Sequence, residues 1–208
     1  PAAFLITIAL LFSLRVLRRG RLRDYGLAGL FSGLATATKY TSLLSLIPLL
    51  LAHLLAEDIR LRDWPAPLVS RRLLVGLAAC AAGYLLGAPY SILDPPAFLA
   101  GLRLLMMRGA TGDRGLQLDP ASGWIFYLKT LLWGMGLPLA SVSIIGVLVA
   151  LIRHRREDLV LLVFPLLLYF YMGRQLMFFA RFLIPILPVL TVLAARTVHL
   201  AVARLTDG

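Results

Sequence analysis

Cysteine is almost absent: Cys80 is the only one in 208 residues, and a disulfide-stapled scaffold is thereby excluded. Charge is scarce too. Asp, Glu, Lys and Arg make up 15% of the chain, against about 25% in an ordinary soluble domain. Acid is the scarcer sign, with ten carboxylates against 21 basic groups and a formal charge of +11. Gly-x-Ser-x-Gly and the phosphate-binding G-x-x-x-x-G-K-[ST] pattern are both missing, which removes the commonest hydrolase and nucleotide readings. What is abundant is apolar. Hydrophobic residues reach 60% and mean hydropathy is +0.88, so disorder is excluded. A charge of +11 alone would suit a nucleic-acid partner. Here, however, the charges fall in short clusters between long apolar runs, the layout of membrane loops. The chain reads as an all-α, polytopic transmembrane helix bundle with no nucleic-acid partner.

A helical span needs about 20 mostly apolar residues. Candidates are 1–17, 26–56, 73–92, 125–152, 159–173 and 182–203. The run 26–56 is too long for one span and too short for two, and Lys39-Tyr40-Thr41-Ser42 interrupts its centre. Cytoplasmic loops collect Lys and Arg. If 26–56 is a short helical hairpin, the basic residues divide 13 inside to 6 outside; if it is one tilted span, they divide 11 to 8. The hairpin is the better reading. It gives about seven crossings in a single transmembrane domain over 1–208, with an outer loop at about 93–124. Pro1 opens the apolar run with no basic leader, and the expectation is that it lies within a longer protein.

On the outer side, Asp94 before Pro95-Pro96 is placed to cap a helix. Phe98, Leu102, Leu105 and Met106 then share one helical face, with Arg103 off it, as in a helix lying at the membrane interface. The stretch Arg108 to Gly115, glycine at every third position from Gly109, reads as a surface turn. Trp124, Tyr127 and Trp133 fall at interfacial depth. Three basic residues carry more weight. Lys39 stands at the hairpin apex, and Arg174 and Arg181 flank the short loop before a proline-interrupted helix containing Pro185 and Pro188. Ionisable groups at membrane depth are costly and point to function. The clusters at Arg15–Arg23 and Arg153–Arg156 read as topology signals. His53, His154 and His199 sit near inner ends and give no metal site.

Four segments, in order, carry a family likeness. They are Gly33-Leu-Ala-Thr-Ala-Thr-Lys-Tyr-Thr41 with Pro48; Gly87-Ala-Pro-Tyr-Ser-Ile-Leu-Asp94 with Phe98; Gly123-Trp-Ile-Phe-Tyr-Leu with Gly134-Met-Gly-Leu-Pro138; and Arg181-Phe-Leu-Ile-Pro-Ile-Leu-Pro188 with Ala194-Ala195. Together they resemble the polyprenyl-phosphate-dependent, type C membrane glycosyltransferases related to protein O-mannosyltransferases and the lipid A aminoarabinose transferase. The resemblance implies a multi-helix membrane enzyme that takes a sugar from a polyprenyl-phosphate lipid and passes it to a protein, lipid or glycan acceptor. It implies a bacterial plasma membrane with the active face outward. Family members carry an acidic catalytic residue in the first outer loop, after the first helix. No segment here corresponds to that loop, so the catalytic base is unassigned and these 208 residues are expected to be inactive alone.

Glycosyl transfer from a lipid phosphate needs stabilisation of the departing phosphate at headgroup depth. Lys39 and Arg181, with Arg174, are the candidate phosphate-holding groups; Tyr40, Tyr90 and Asp94 are candidates for shaping the sugar cleft. A divalent cation at the site is left open. Two other classes compete: a lipid or solute transporter, and a non-catalytic membrane subunit. A transporter predicts broken helices at matching positions in two halves. A subunit would use small-residue patches, such as Gly76 to Gly83 or Gly134 with Gly136, for packing.

Overall fold

The computed structural model describes residues 1–56, 70–111, 123–176 and 178–206. Every regular element among them is helical. The chain forms two compact units, 1–100 and 101–208.

In the first unit, α1 (Ala2–Arg19) ends because Gly20 adopts the left-handed conformation, φ 59°, and returns its N–H to the Val16 carbonyl at 2.9 Å. A two-residue link then starts α2 (Leu22–Thr38). Phe12 stacks on Phe31 across the pair, ring centroids 6.2 Å apart. At Lys39 the backbone is extended, φ −160° and ψ 121°, and α2 stops. A 3-10 turn, Tyr40–Ser45, leads into α3 (Leu46–Ala56). The return is direct: the hydroxyl of Tyr25, near the start of α2, lies 2.7 Å from Nδ1 of His53, near the end of α3. The segment 26–56 is therefore a two-helix hairpin turning just after Lys39.

Helix α4 (Arg71–Gly87) runs beside α2 in the same direction. Glycine sets the spacing. A Cβ on Gly29 would strike the backbone of Gly76; on Gly33, that of Cys80; on Gly83, the carbonyl of Leu30. Gly29-x-x-x-Gly33 and Gly76 to Gly83 are thus two small-residue stripes facing each other, the arrangement that lets apolar helices approach backbone to backbone. A short turn of helix, α5 (Tyr90–Leu93), precedes α6 (Pro95–Thr111). As the sequence suggests, Asp94 caps α6, its Oδ1 accepting from the Ala97 N–H at 3.2 Å.

In the second unit, the apolar run 125–152 is not one continuous helix. It is α7 (Gly123–Met135) and α8 (Leu137–Arg153), bent by 120° at Gly136. Gly136 has φ 74° and Pro138 follows at the start of α8, so the helix cannot run through. Gly134 and Gly136 serve this break rather than close packing, since no described atom lies within 4 Å of a Cβ built at either. Helix α9 (Arg156–Gly173) follows, and a 3-10 segment, Ala180–Ile186, leads into α10 (Leu187–Thr206). Ser143 of α8 donates to the Leu190 carbonyl, and Gly146 packs on Leu193 and Thr197, so α8 and α10 run side by side. Asp158, fully buried, is ion-paired with Arg196.

By length and apolarity, Ala180–Thr206, 27 residues, is the described helix able to cross a bilayer unaided. Elsewhere large apolar side chains lie open: Leu86, Trp133 and Ile152 are each at least three-quarters exposed. Large exposed apolar side chains in both units suit lipid rather than water. The stretches 57–69 and 112–122, which hold most of the Gly-rich piece beyond Arg108, lie outside the described residues.

Candidate functional site

Lys39 owes its place to the end of α2. Its φ and ψ lie outside the helical region, so the side chain leaves the helix axis at the apex of the hairpin, and it is half-buried. Tyr40 begins the 3-10 turn and meets Phe98 of α6 edge to face, centroids 6.1 Å apart. The end of α4 comes to the same place: a Cβ on Gly87 would lie 2.6 Å from Cβ of Ala37. Tyr90, three residues beyond Gly87, is 72% exposed, and Asp94 is exposed at the start of α6. Four of the six residues nominated from sequence therefore lie toward one end of the first unit, on the turn after α2, the segment after α4 and the cap of α6, linked by the Tyr40–Phe98 and Gly87–Ala37 contacts. The cluster holds one cation, one carboxylate and two phenols around an aromatic contact, a mixture suited to a polar, partly charged ligand. Asp94 is already engaged as a helix cap, which fixes its position.

The remaining two belong to the second unit. Arg174 follows the last residue of α9 and is exposed; Arg181 is the second residue of the 3-10 segment and is exposed. The Arg181 guanidinium sits over the ring of Phe179, 4.6 Å from its centroid, and 5.9 Å from that of Phe182. Such stacking holds the charge through the ring quadrupole. Around the same end lies an aromatic cluster. Trp124 packs edge to face on Tyr169 and Phe170, and Phe126 stacks on Phe178 at 5.4 Å. The Tyr169 hydroxyl donates to the Trp124 carbonyl at 2.8 Å, tying α9 to the start of α7. Trp124 and Tyr127, read from sequence as separate interfacial anchors, share this cluster. Trp133 does not; it is 81% exposed.

Sequence reasoning missed one polar constellation at the opposite end of the first unit. His53 is fully buried, with Nδ1 at 2.7 Å from the Tyr25 hydroxyl and Nε2 at 3.2 Å from Oγ of Ser70. Ser70 also accepts from the Leu73 N–H, capping α4. The signal was present as Ser70 before Arg71-Arg72 and as a lone His in an apolar helix, but the partner of each is 17 or more residues away. A recess of about 160 Å³ between α7, α8 and α10 is lined by Leu128, Met135, Val147 and Leu190 among others. It is apolar and offers no chemistry.

Compared with known families, residues 1–86 match the dolichyl-phosphate-mannose-protein mannosyltransferase family. The matched stretch includes Lys39, Tyr40 and the α2–α4 packing up to residue 86; Gly87, Tyr90, Asp94, Arg174 and Arg181 lie beyond it. No curated protein and no solved structure matches the chain.

Proposed function

From the family match over residues 1–86, we propose that this chain is part of a membrane glycosyltransferase that moves a sugar from a polyprenyl-phosphate donor to an acceptor on the outer face. The observation that carries the proposal is the end of the first unit, where the matched segment breaks at Lys39 and the neighbouring Tyr40 meets Phe98 of α6. In the transfer, the bond from the anomeric carbon to the phosphate oxygen breaks. A bond from that carbon to the acceptor oxygen forms, and the acceptor proton passes to a base. Lys39 offsets the charge that builds on the departing phosphate, and Arg181 and Arg174 are the further phosphate-holding candidates. Tyr40, Tyr90 and Asp94 shape the sugar cleft. No residue of this chain is assigned as the base. About seven crossings, a bacterial plasma membrane and an outward active face belong to the same proposal.

Removing one charged donor from a desolvated anion site costs about 2–4 kcal/mol of transition-state stabilisation, or 10²–10³ in rate. The test is sugar transfer from a radiolabelled polyprenyl-phosphate donor in membranes carrying the complete protein. Lys39→Met and Arg181→Ala should each fall by roughly that factor, with the protein still inserted. Turnover near wild type in Lys39→Met removes the phosphate role from Lys39.

One observation favours a second reading, transport. Each unit contains an interrupted helix, one at Lys39 and one at Gly136, and discontinuous helices in two halves mark many transporters. Donor uptake into sealed vesicles without any transferred product selects transport; product formation selects transfer.

A further inference from the structure

The end of the first unit remote from Lys39 is strongly basic. Arg18 and Arg19 close α1, Arg21 and Arg23 open α2, and Arg71 and Arg72 open α4; all six are exposed. In sequence they form two groups about fifty residues apart. The fold joins them: a Cβ on Gly20, in the α1–α2 turn, would lie 3.7 Å from Nη1 of Arg72. Beneath them sits the buried Tyr25–His53–Ser70 chain. Tyr25 is two residues from Arg23 and Ser70 is one from Arg71, so the hydrogen bonds through His53 hold the two arginine-bearing helix starts in fixed relation.

We propose that this surface is a binding site for anionic phospholipid headgroups of the inner leaflet. The inference rests on placement in a membrane and not on glycosyl transfer. Loop charge that only sets topology needs neither convergence from two loops nor a rigid polar support. A phosphodiester needs both, because planar guanidinium groups must be presented together to bind phosphate oxygens bidentately. Basic clusters immediately inside apolar helices recognise acidic lipids on this principle.

The experiment uses the full chain, purified, stripped of lipid and offered an equimolar mixture of phosphatidylglycerol and phosphatidylcholine in detergent micelles, with retained lipid read by native mass spectrometry. Phosphatidylglycerol should be retained in preference. Arg18→Gln/Arg19→Gln and Arg71→Gln/Arg72→Gln should each lower that preference, by roughly fivefold per arginine. Equal retention of the two lipids by the wild type overturns the proposal. So does loss confined to one of the two arginine groups. Displacement of the lipid by an equal concentration of inorganic phosphate overturns the lipid assignment in favour of a free-phosphate site. Should the Gln variants fail to fold, a salt series on the wild type decides. The preference must decline as salt screens exposed charges, and a salt-independent preference refutes the site.

Discussion

The α2–α4 contact yields the sharpest stability prediction. At Gly29, an ideal Cβ lies 2.8 Å from the carbonyl carbon of Gly76 and 3.1 Å from its Cα. Carbon atoms rest at about 3.5–4.0 Å, so Gly29→Ala forces α4 away by roughly 1 Å. The opposing atoms are backbone and cannot swing aside. Overpacking of this kind costs about 1–3 kcal/mol, and a backbone collision belongs at the upper end. Alanine returns up to about 1 kcal/mol of helix propensity, leaving a net loss of roughly 2 kcal/mol. For a chain of this size that lowers Tm by about 4–8 °C. Gly134→Ala is the matched control. It also lies in a helix, but no described atom is within 4 Å of its Cβ, so it should be neutral or stabilising by up to about 1 kcal/mol. Thermal unfolding of both variants in one detergent, followed by intrinsic fluorescence, reads the difference. If Gly29→Ala melts with the wild type, or Gly134→Ala proves the more damaging, the close glycine contact is not what holds α2 to α4.

Further consequences are as direct. His53→Ala leaves the buried Tyr25 hydroxyl without its ring-nitrogen partner and should cost about 1–3 kcal/mol, with His53→Gln partly restoring stability in the same melt. Breaking the Asp158–Arg196 pair by Asp158→Ala leaves Arg196 without its carboxylate; the expected loss is about 3 kcal/mol. A double-mutant cycle with Arg196→Ala should return coupling, whereas strictly additive losses refute the pair. Gly136→Ala forces a Cβ into φ 74° and should destabilise by roughly 1–2 kcal/mol. That is the opposite sign to Gly134→Ala two residues earlier.

Much of this was legible because polar residues in apolar runs are rare enough to be read singly. Lys39-Tyr40-Thr41-Ser42 marked the hairpin apex, and the backbone breaks at the first of them. Asp94 before two prolines marked a cap, and the Ala97 N–H finds it. The Gly136 break carries its marks in the sequence, two glycines and a proline in Gly134-Met-Gly-Leu-Pro138, but an apolar count from 125 to 152 does not register them because glycine and proline interrupt a helix without interrupting its apolarity. The His53 chain was hidden for a different reason. Periodicity reports which face of a helix is apolar, not which distant hydroxyl a buried imidazole meets. Likewise Arg181 was legible as a charge, but its seat over Phe179 depends on the extended backbone at Phe179, which puts residues two apart on one side just before the 3-10 segment is under way.

The turn at Gly136 imposes a demand on its surroundings. Ending one helix and starting another there orphans the last carbonyls of α7 and the first amides of α8. Pro138 removes one donor, and the first intrahelical bond of α8 runs from the Ala140 N–H to the Gly136 carbonyl; the amides before it have no intrahelical acceptor. Hydrocarbon supplies none, and irregular backbone survives at membrane depth only against protein or water. In the membrane placement proposed above, residues 135–137 therefore need protein or water beside them, and Trp133 close by in the chain lies in the open.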